Sequence, residues 1–365
     1  MIPFLRRVSA SLGRRFDRAS PIPAVDANEA TDVHWGKPFL AAEHLKVTAP
    51  ETSLPTVALE LPSRQCLFVE GGTIWPENGV VADRHGRAIT ETAWAPDRFA
   101  KHQLIGSFGR FPVITSGAKA ATAIECGGWW NNYGHVVLET LPRILGLHSP
   151  ECQQLDAVDV HICSLTAPQW RPLLEALIPP NARLCPSPAN SRVRCQSVIS
   201  LPVISGDIVG FIRGEWLSRF RAAATRAWGP ADASQPRRIY VSRRRATHRR
   251  ILNESELIES LSSLGFVAVA LESLSLAEQY KLFATAEVVV APHGAGLTNL
   301  IHAPAGCSLV ELFPDDPSLE RHYRWLSHSC QQSYACWSAN VFGIHTDFMV
   351  DIDAVVAMAT RQSTA

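Results

Sequence analysis

Nowhere in this chain of 365 residues does an apolar run approach the ~20 residues that a membrane-spanning helix needs. A secretory leader is not expected either. Its core takes about 7–15 unbroken apolar positions, and Arg6 and Arg7 interrupt directly after Phe4 and Leu5. Net charge is absent, because 34 Lys and Arg balance 34 Asp and Glu, so no global field draws the chain to nucleic acid or to an anionic membrane. No CxxC pair occurs among the nine cysteines, which are Cys66, Cys126, Cys152, Cys163, Cys185, Cys195, Cys307, Cys330 and Cys336. An odd count without metal-type spacing predicts neither a disulfide framework nor a structural zinc site. The cysteines read as reduced, mostly buried small hydrophobes, and the compartment as cytoplasmic. An Asp-x-Asp pair flanked by an apolar strand, which would bridge phosphates through a metal, is missing as well. The closest acidic pairs, Asp315–Asp316 and Asp351–Asp353, fall late in the chain.

What is present is an ordinary globular composition, 46% hydrophobic, in a chain longer than one core usually supports, so two domains are expected. Residues 1–55 read as a basic tail and lead-in. Arg6, Arg7, Arg14, Arg15 and Arg18 stand against Asp17 alone in the first twenty positions, which suits a frayed tail or a weak peripheral contact with anionic lipid. Residues 56–230 alternate short apolar runs with turns and helical stretches, with Asp83–Gly86 turning between two strands and strand-like runs at Val158–Cys163 and Ser197–Leu201. Gly229, Pro230 and Pro236 punctuate the chain near a boundary at about 231. Residues 231–345 show the clearest pattern. Strands are expected at Ile239–Ser242, Phe266–Leu271, Val288–Ala291 and Leu309–Phe313, the third a continuous apolar run suited to a parallel sheet buried on both faces. Between them, Asn253 with Glu256 and Ser275 with Glu278 are spaced as capping boxes opening helices. Gly265 is placed to stop the first, and a further helix is expected from Leu297. This is a βαβαβαβ pattern, a Rossmann-like half; residues 346–365 form a last helix and tail.

Three segments carry chemistry. The first is PHGAGLTN, 292–299, between a buried strand and a helix. Gly294 and Gly296, with Ala295 between them, permit close backbone approach to a ligand, and a helix start there favours a pyrophosphate. His293, Thr298 and Asn299 could add donors, and Glu311, 17 residues after Gly294, could accept from ribose hydroxyls. A tight βα turn whose glycines serve packing, with a solvated strand-end carboxylate, is the plain alternative. The second is RRIYVSRRRATHRR, 237–250, with seven arginines and no acid. Arg243, just past a strand, and one of Arg249 or Arg250 are the expected diphosphate contacts, while Arg244 and Arg245 read as solvated. With Tyr240 as the sole aromatic, the segment does not read as a nucleic-acid surface. The third is GGWWNNYGHVVLETLPRI, 127–144, where His135 and Glu139 share one helix face at i,i+4. Either could take a proton from an attacking hydroxyl while the other orients it, with the imidazole the better base near neutral pH. A core or capping histidine with an exposed glutamate is the alternative. Trp129, Trp130 and Tyr133 could form a sugar-stacking wall.

Together the three segments resemble glycosyltransferase family 61, which includes plant xylosyltransferases, protein O-linked GlcNAc transferases and bacterial polysaccharide-biosynthesis proteins. The likeness runs over about residues 66–345. It rests on NYGHVVLETLPRI, IYVSR, the R-R-x-x-N-E set of Arg249, Arg250, Asn253 and Glu254, the L-x-x-Q pair Leu276 and Gln279, and VVVAPHGAGLTN. The resemblance implies a GT-B-like α/β fold of two Rossmann-like domains facing across a cleft. It also implies a nucleotide-sugar donor in the C-terminal one and inverting transfer, here to a glycan or other hydroxyl acceptor; the arginines at 243–250 and the helix start at Gly296, without a flanked Asp-x-Asp pair, predict activity without a metal or other cofactor. Two other classes are weighed against it. A nucleotide-dependent oxidoreductase is disfavoured by the missing third glycine at Asn299 and by the arginine-rich edge. A non-catalytic nucleotide- or sugar-binding protein on the same fold would differ by failing to hydrolyse a nucleotide-sugar slowly.

Overall fold

A computed structural model describes residues 24–47, 57–92, 111–125, 132–204, 210–316, 319, 321–339, 341–342 and 346–362. The basic first twenty residues, Cys126, Trp129 and Trp130 therefore lie outside the described residues. The protein is mixed α/β. In the first half, strands β1 (Val33–Trp35), β2 (Leu67–Glu70), β3 (Ala120–Ala123), β4 (Val158–Ile162), β5 (Ala182–Pro186) and β6 (Ser197–Ser200) form one sheet in the order β5-β4-β3-β6-β2-β1. β5, β4, β3 and β6 run parallel, whereas β2 and β1 pair antiparallel. A second sheet of short strands, among them Val81–Ala82 and Ala88–Ile89 on either side of the Asp83–Gly86 turn, packs beside it.

The second half is a five-stranded, wholly parallel sheet of β7 (Arg238–Val241), β8 (Val267–Val269), β9 (Val288–Pro292), β10 (Ser308–Pro314) and β11 (Ser333–Ala339), in the order β8-β7-β9-β10-β11. The chain moves outward from β7 to β8 and then returns past β7 to β9. The strand order therefore reverses between β7 and β9, which is where open α/β sheets hold ligands. Alternation along the strands divides two cores. Tyr240, Val288, Val290, Val310 and Leu312 face one layer with Leu257 and Leu261 of α3 (Glu254–Ser263) and Val355 and Ala359 of α6 (Ile352–Gln362). Ile239, Val241, Val289, Ala291 and Leu309 face the other way, into a core that continues through α1 (Arg171–Leu177), α2 (Gly214–Trp228) and α4 (Leu276–Phe283) to β4 and β6 of the first sheet. The last interstrand helix of the second sheet is α5 (His322–Ser329), between β10 and β11. Among the described residues no helix is long and apolar enough to cross a membrane.

Local signals mostly held where the partner is local. Ser275 and Glu278 form both bonds of a capping box at α4, and Gly265 takes φ +81° to end α3. The box expected at Asn253 does not form. Its side chain instead donates to Val350 O at 2.9 Å and accepts from Val350 N at 3.1 Å, fastening α3 to the chain 97 residues on. The expected strand over Phe266–Leu271 shortens to an edge strand with Val267 exposed. The helix expected from Leu297 is a seven-residue 3-10 helix, Ala295–Ile301.

The 133–148 stretch is one continuous helical rod that changes gauge. A single α-turn, Tyr133–His135, is capped by Asn132, whose side chain accepts from Gly134 N, and passes into a π-turn, Val136–Thr140, and then a 3-10 run, Leu141–His148. Its interior is locked by Arg143, 2% exposed, which donates from Nε to Leu201 O at 2.9 Å and from Nη1 to Glu125 O at 2.8 Å. A buried carbonyl without a donor costs about 1–3 kcal/mol. Arg143→Met should therefore lower the unfolding free energy by about 3 kcal/mol, read by urea denaturation; a loss below about 1 kcal/mol would show the rod to be held by packing alone.

Candidate functional site

At the carboxyl ends of β8, β7 and β9 the structure opens a cleft of about 350 Å³, lined by Val241, Ser242, Arg243, Arg245, Leu271, Glu272, Gln279, Gly294, Gly296 and Tyr133. Ligand pockets commonly have volumes of this order. The cleft thus straddles the reversal between β7 and β9, with Arg243 on one side and Gly294 on the other. Gly294 has φ 166°, extended backbone open to any residue, so it is the room above it that requires glycine. A Cβ at Gly294 would collide with Arg243 Nη1, and one at Gly296 would lie 2.9 Å from Leu271 Cδ1.

Electrostatically the cleft is poised for an anion. Arg243 is half-buried. Its Nη2 donates to His248 O at 3.1 Å, while its Nε has no hydrogen-bond partner among the described residues. Burial, and then the neighbouring charge of Arg249, push its pKa down to about 10. Arg249 is held below its ordinary value by burial as well, and it takes the left-handed φ of +58°, which side chains other than glycine seldom adopt. The cause of that bend is next door. Arg250 is drawn outward, its Nη2 donating to Asp347 Oδ2 at 2.7 Å and its backbone N to Asp347 Oδ1 at 2.9 Å. Of the two arginines expected to share the diphosphate role, Arg250 is thus committed to a structural ion pair, and Arg249 is the one turned towards Arg243. Arg244 packs on Ser255 and Glu254, whereas Arg245, expected to be merely solvated, lines the cleft.

The remaining residues of the glycine-turn motif lie beneath the cleft and bond within the protein. Asn299, with no exposed surface, accepts from the Tyr133 hydroxyl at 2.8 Å and donates to Gln279 Oε1 at 2.9 Å and Gly296 O at 3.0 Å. Thr298 is equally buried, and a Cβ at Gly134 would meet its Oγ1 at 3.2 Å and Ala295 Cβ at 3.7 Å. His293 is buried against Phe313, His322 and Tyr323, and its Nδ1–H donates to Glu311 Oε1 at 2.6 Å. Glu311 takes its second bond from the Tyr334 hydroxyl at 2.7 Å and has no exposed surface. A carboxylate so enclosed does not fit the ribose role expected for Glu311; it positions His293 under the turn. The short 3-10 helix also has too few aligned peptides for a strong dipole, so positive charge in the cleft comes from the arginines.

His135 and Glu139 are joined, Nδ1–H to Oε1 at 2.7 Å, and Glu139 is buried rather than exposed. Their α-turn packs directly on the Ala295–Ile301 helix. Tyr133, two residues before His135, reaches the cleft, and its ring stacks on Trp170 at 6.0 Å. The sequence reading missed Glu272 in the cleft wall. It also missed the proximity of Asp159, His161 and Cys185, which lie within 4.8 Å of one another because β4 and β5 pair His161 with Cys185. The Asp159 carboxylate is already engaged there by Arg183 at 2.6 Å, Ser116 at 2.6 Å and Ala118 N at 2.9 Å.

Residues 133–310, which contain the cleft lining, Arg243, Arg249, the His135–Glu139 pair and the glycine turn, match the family model described as Glycosyltransferase 61. The chain is 38% identical over 73 residues to protein O-linked-mannose β-1,4-N-acetylglucosaminyltransferase 2 of Canis lupus familiaris, 19% of this chain and 13% of that protein. It is 37% identical over 87 residues to a β-1,2-xylosyltransferase of Oryza sativa subsp. japonica, 24% of this chain and 15% of that protein. It is 28% identical over 114 residues to an EGF domain-specific O-linked N-acetylglucosamine transferase of Gallus gallus, 30% of this chain and 21% of that protein. The matches thus span at most about a fifth of the length of these curated relatives.

The crowding at Gly294 gives a direct check. Gly294→Ala should push the Arg243 guanidinium from its seat at little cost in stability, because the obstructing atom is the tip of a flexible side chain. Calorimetric titration should show pyrophosphate affinity falling roughly tenfold, the loss of about one hydrogen bond to a charged group, with the melting temperature nearly unchanged. Unaltered pyrophosphate affinity would separate Gly294 from anion binding.

Proposed function

Since residues 133–310 belong to glycosyltransferase family 61, we propose that the protein moves a sugar from a nucleotide-sugar donor to a hydroxyl acceptor with inversion, in the synthesis of a cell-surface polysaccharide or other glycan. The observation that carries this reading is the cleft at the β7–β9 reversal, where the half-buried, under-bonded Arg243 lies over Gly294, with the charge of Arg249 near enough to act on it. Such a site suits the diphosphate of a nucleotide-sugar, and guanidinium groups suit its planar pairs of oxygens. In this reading the second sheet is the donor half, the first half takes the acceptor, and the two form a GT-B arrangement meeting near residue 231. The protein works in the cytoplasm, with the arginines of its first twenty residues available for a weak contact with anionic lipid.

The chemistry follows from the bonded pair at 135 and 139. Glu139 accepts from His135 Nδ1, which places the basic lone pair of the imidazole on Nε2. The acceptor oxygen attacks the anomeric carbon and gives its proton to that nitrogen. The bond from the anomeric carbon to the phosphate oxygen breaks, and the electron pair leaves with the nucleoside diphosphate. Arg243, Arg249 and Arg245 offset the charge that develops on it, a task otherwise given to a divalent metal.

Three measurements test this. Arg243→Ala should weaken binding of UDP or whichever nucleoside diphosphate the protein takes by about 1.5–3 kcal/mol; an unchanged Kd removes Arg243 from the donor site. His135→Ala should lower kcat by about 10²–10⁴-fold while nucleotide affinity stays put. If Glu139→Ala alone abolishes turnover, the roles are exchanged. Activity should persist in EDTA, and loss restored by Mn²⁺ or Mg²⁺ would assign the charge compensation to a metal.

A further inference from the structure

Among the described residues, Glu272 is the one carboxylate lining an otherwise basic cleft. It lies just past the end of β8, on a 3-10 turn, Leu271–Ser273, and the structure gives its carboxylate no hydrogen-bonding partner among the described residues. The turn that carries it is nevertheless held firmly. Gln279 Nε2 donates to Leu271 O and to Leu274 O, each at 3.1 Å, and Gln279 Oε1 is in turn held by Asn299. Glu272 is thus an exposed acceptor on a pinned turn, lining the same cleft as Arg243 and Arg245 without an ion pair to either among the described residues.

Its place in the sheet says what. The anion seat lies at the reversal between β7 and β9, and β8 is the neighbour of β7 on the far side. Strand ends in one sheet are about 4.8 Å apart. Glu272 thus lies about one to two strand spacings, ~5–10 Å, from the crevice, the reach from a diphosphate across a 5′-carbon to a sugar's hydroxyls. In dinucleotide-binding sheets the acid that accepts from the ribose ends the strand beside the one whose following loop holds the phosphates; β8 lies beside β7, whose following loop carries Arg243, and Glu311, on the fourth strand, is enclosed. We infer that Glu272 accepts hydrogen bonds from the vicinal hydroxyls of the donor's ribose, so that the site takes ribonucleoside and not 2′-deoxyribonucleoside diphosphates. This rests on the donor-site reading above and adds to it a class of donor.

The experiment is a calorimetric comparison of UDP, GDP, ADP and CDP with their 2′-deoxy counterparts, on the full chain and on Glu272→Ala, a surface substitution on a turn fixed by backbone bonds. The unaltered protein should bind its preferred ribonucleotide about tenfold more tightly than the deoxy form, one hydrogen bond to a charged acceptor, and Glu272→Ala should bring that ratio close to one. Three outcomes overturn the inference while leaving the donor site standing. Equal affinity for the ribo and deoxy forms in the unaltered protein is the first. The second is a rise in both affinities by the same factor in Glu272→Ala, which would make the acid a mere counter-charge to the phosphates. The third is a changed preference among bases at a constant ribo-to-deoxy ratio, which would place the acid on the base edge. Failure of the unaltered protein to bind any of the eight nucleotides overturns the donor-site reading itself and the inference with it.

Discussion

One buried amide holds the cleft together. Asn299 accepts from the Tyr133 hydroxyl, donates to Gln279 and to Gly296 O, and through Gln279 reaches the carbonyls of Leu271 and Leu274. It therefore ties the helical rod of the first half, the glycine turn after β9 and the turn after β8 into one frame. In a dry interior each of these bonds is electrostatically stronger than in water, and each partner left alone is correspondingly costly. The walls of the cleft are thus fixed to one another independently of any ligand, and the side chains that line it, Arg243 and Glu272 above all, project from rigid supports. A motif that ends G-x-x-N in place of G-x-x-G acquires a physical meaning: the last position is not free to let a helix approach closely, because it carries the frame.

A second buried pair works below the first. His293, Glu311 and Tyr334 form a short chain of bonds under the turn, from β9 through β10 to β11. It links three adjacent parallel strands by side chains in addition to their ladders. The two networks explain why most of the PHGAGLTN motif has its side chains turned inward while its backbone faces the cleft.

The parts of the fold that sequence made legible are those whose cause is short-ranged. Ser275 and Glu278 satisfy each other within one turn, Gly265 ends α3 by its own conformational freedom, and the apolar run at 288–291 is a buried strand whatever surrounds it. Where the partner is remote, the pattern misleads. Asn253 is spaced for a cap but is claimed by Val350, and Arg250 is indistinguishable from Arg249 until Asp347 arrives 97 residues later. Glu311 looked like a strand-end acceptor because no one-dimensional signal says that Tyr334 and His293 converge on it. Glu272 does carry a sequence signal, since it is an acid just past the second strand of the pattern. That His135 and Glu139 meet was readable from their i,i+4 spacing alone.

The closeness of Arg243 and Arg249 has a consequence for the rhythm of turnover. Two partly desolvated like charges repel across a short distance, and that repulsion is offset in proportion to the negative charge brought to them. On the proposed reaction, the donor carries its diphosphate as a diester, while the departing nucleotide has gained a further ionisable oxygen with a pKa of about 6. On that proposal the site would grip what it has finished with more firmly than what it must take up. A cycle built on such a seat would be paced by letting go, at a speed set by how readily water and salt replace a spent nucleotide beside the arginines.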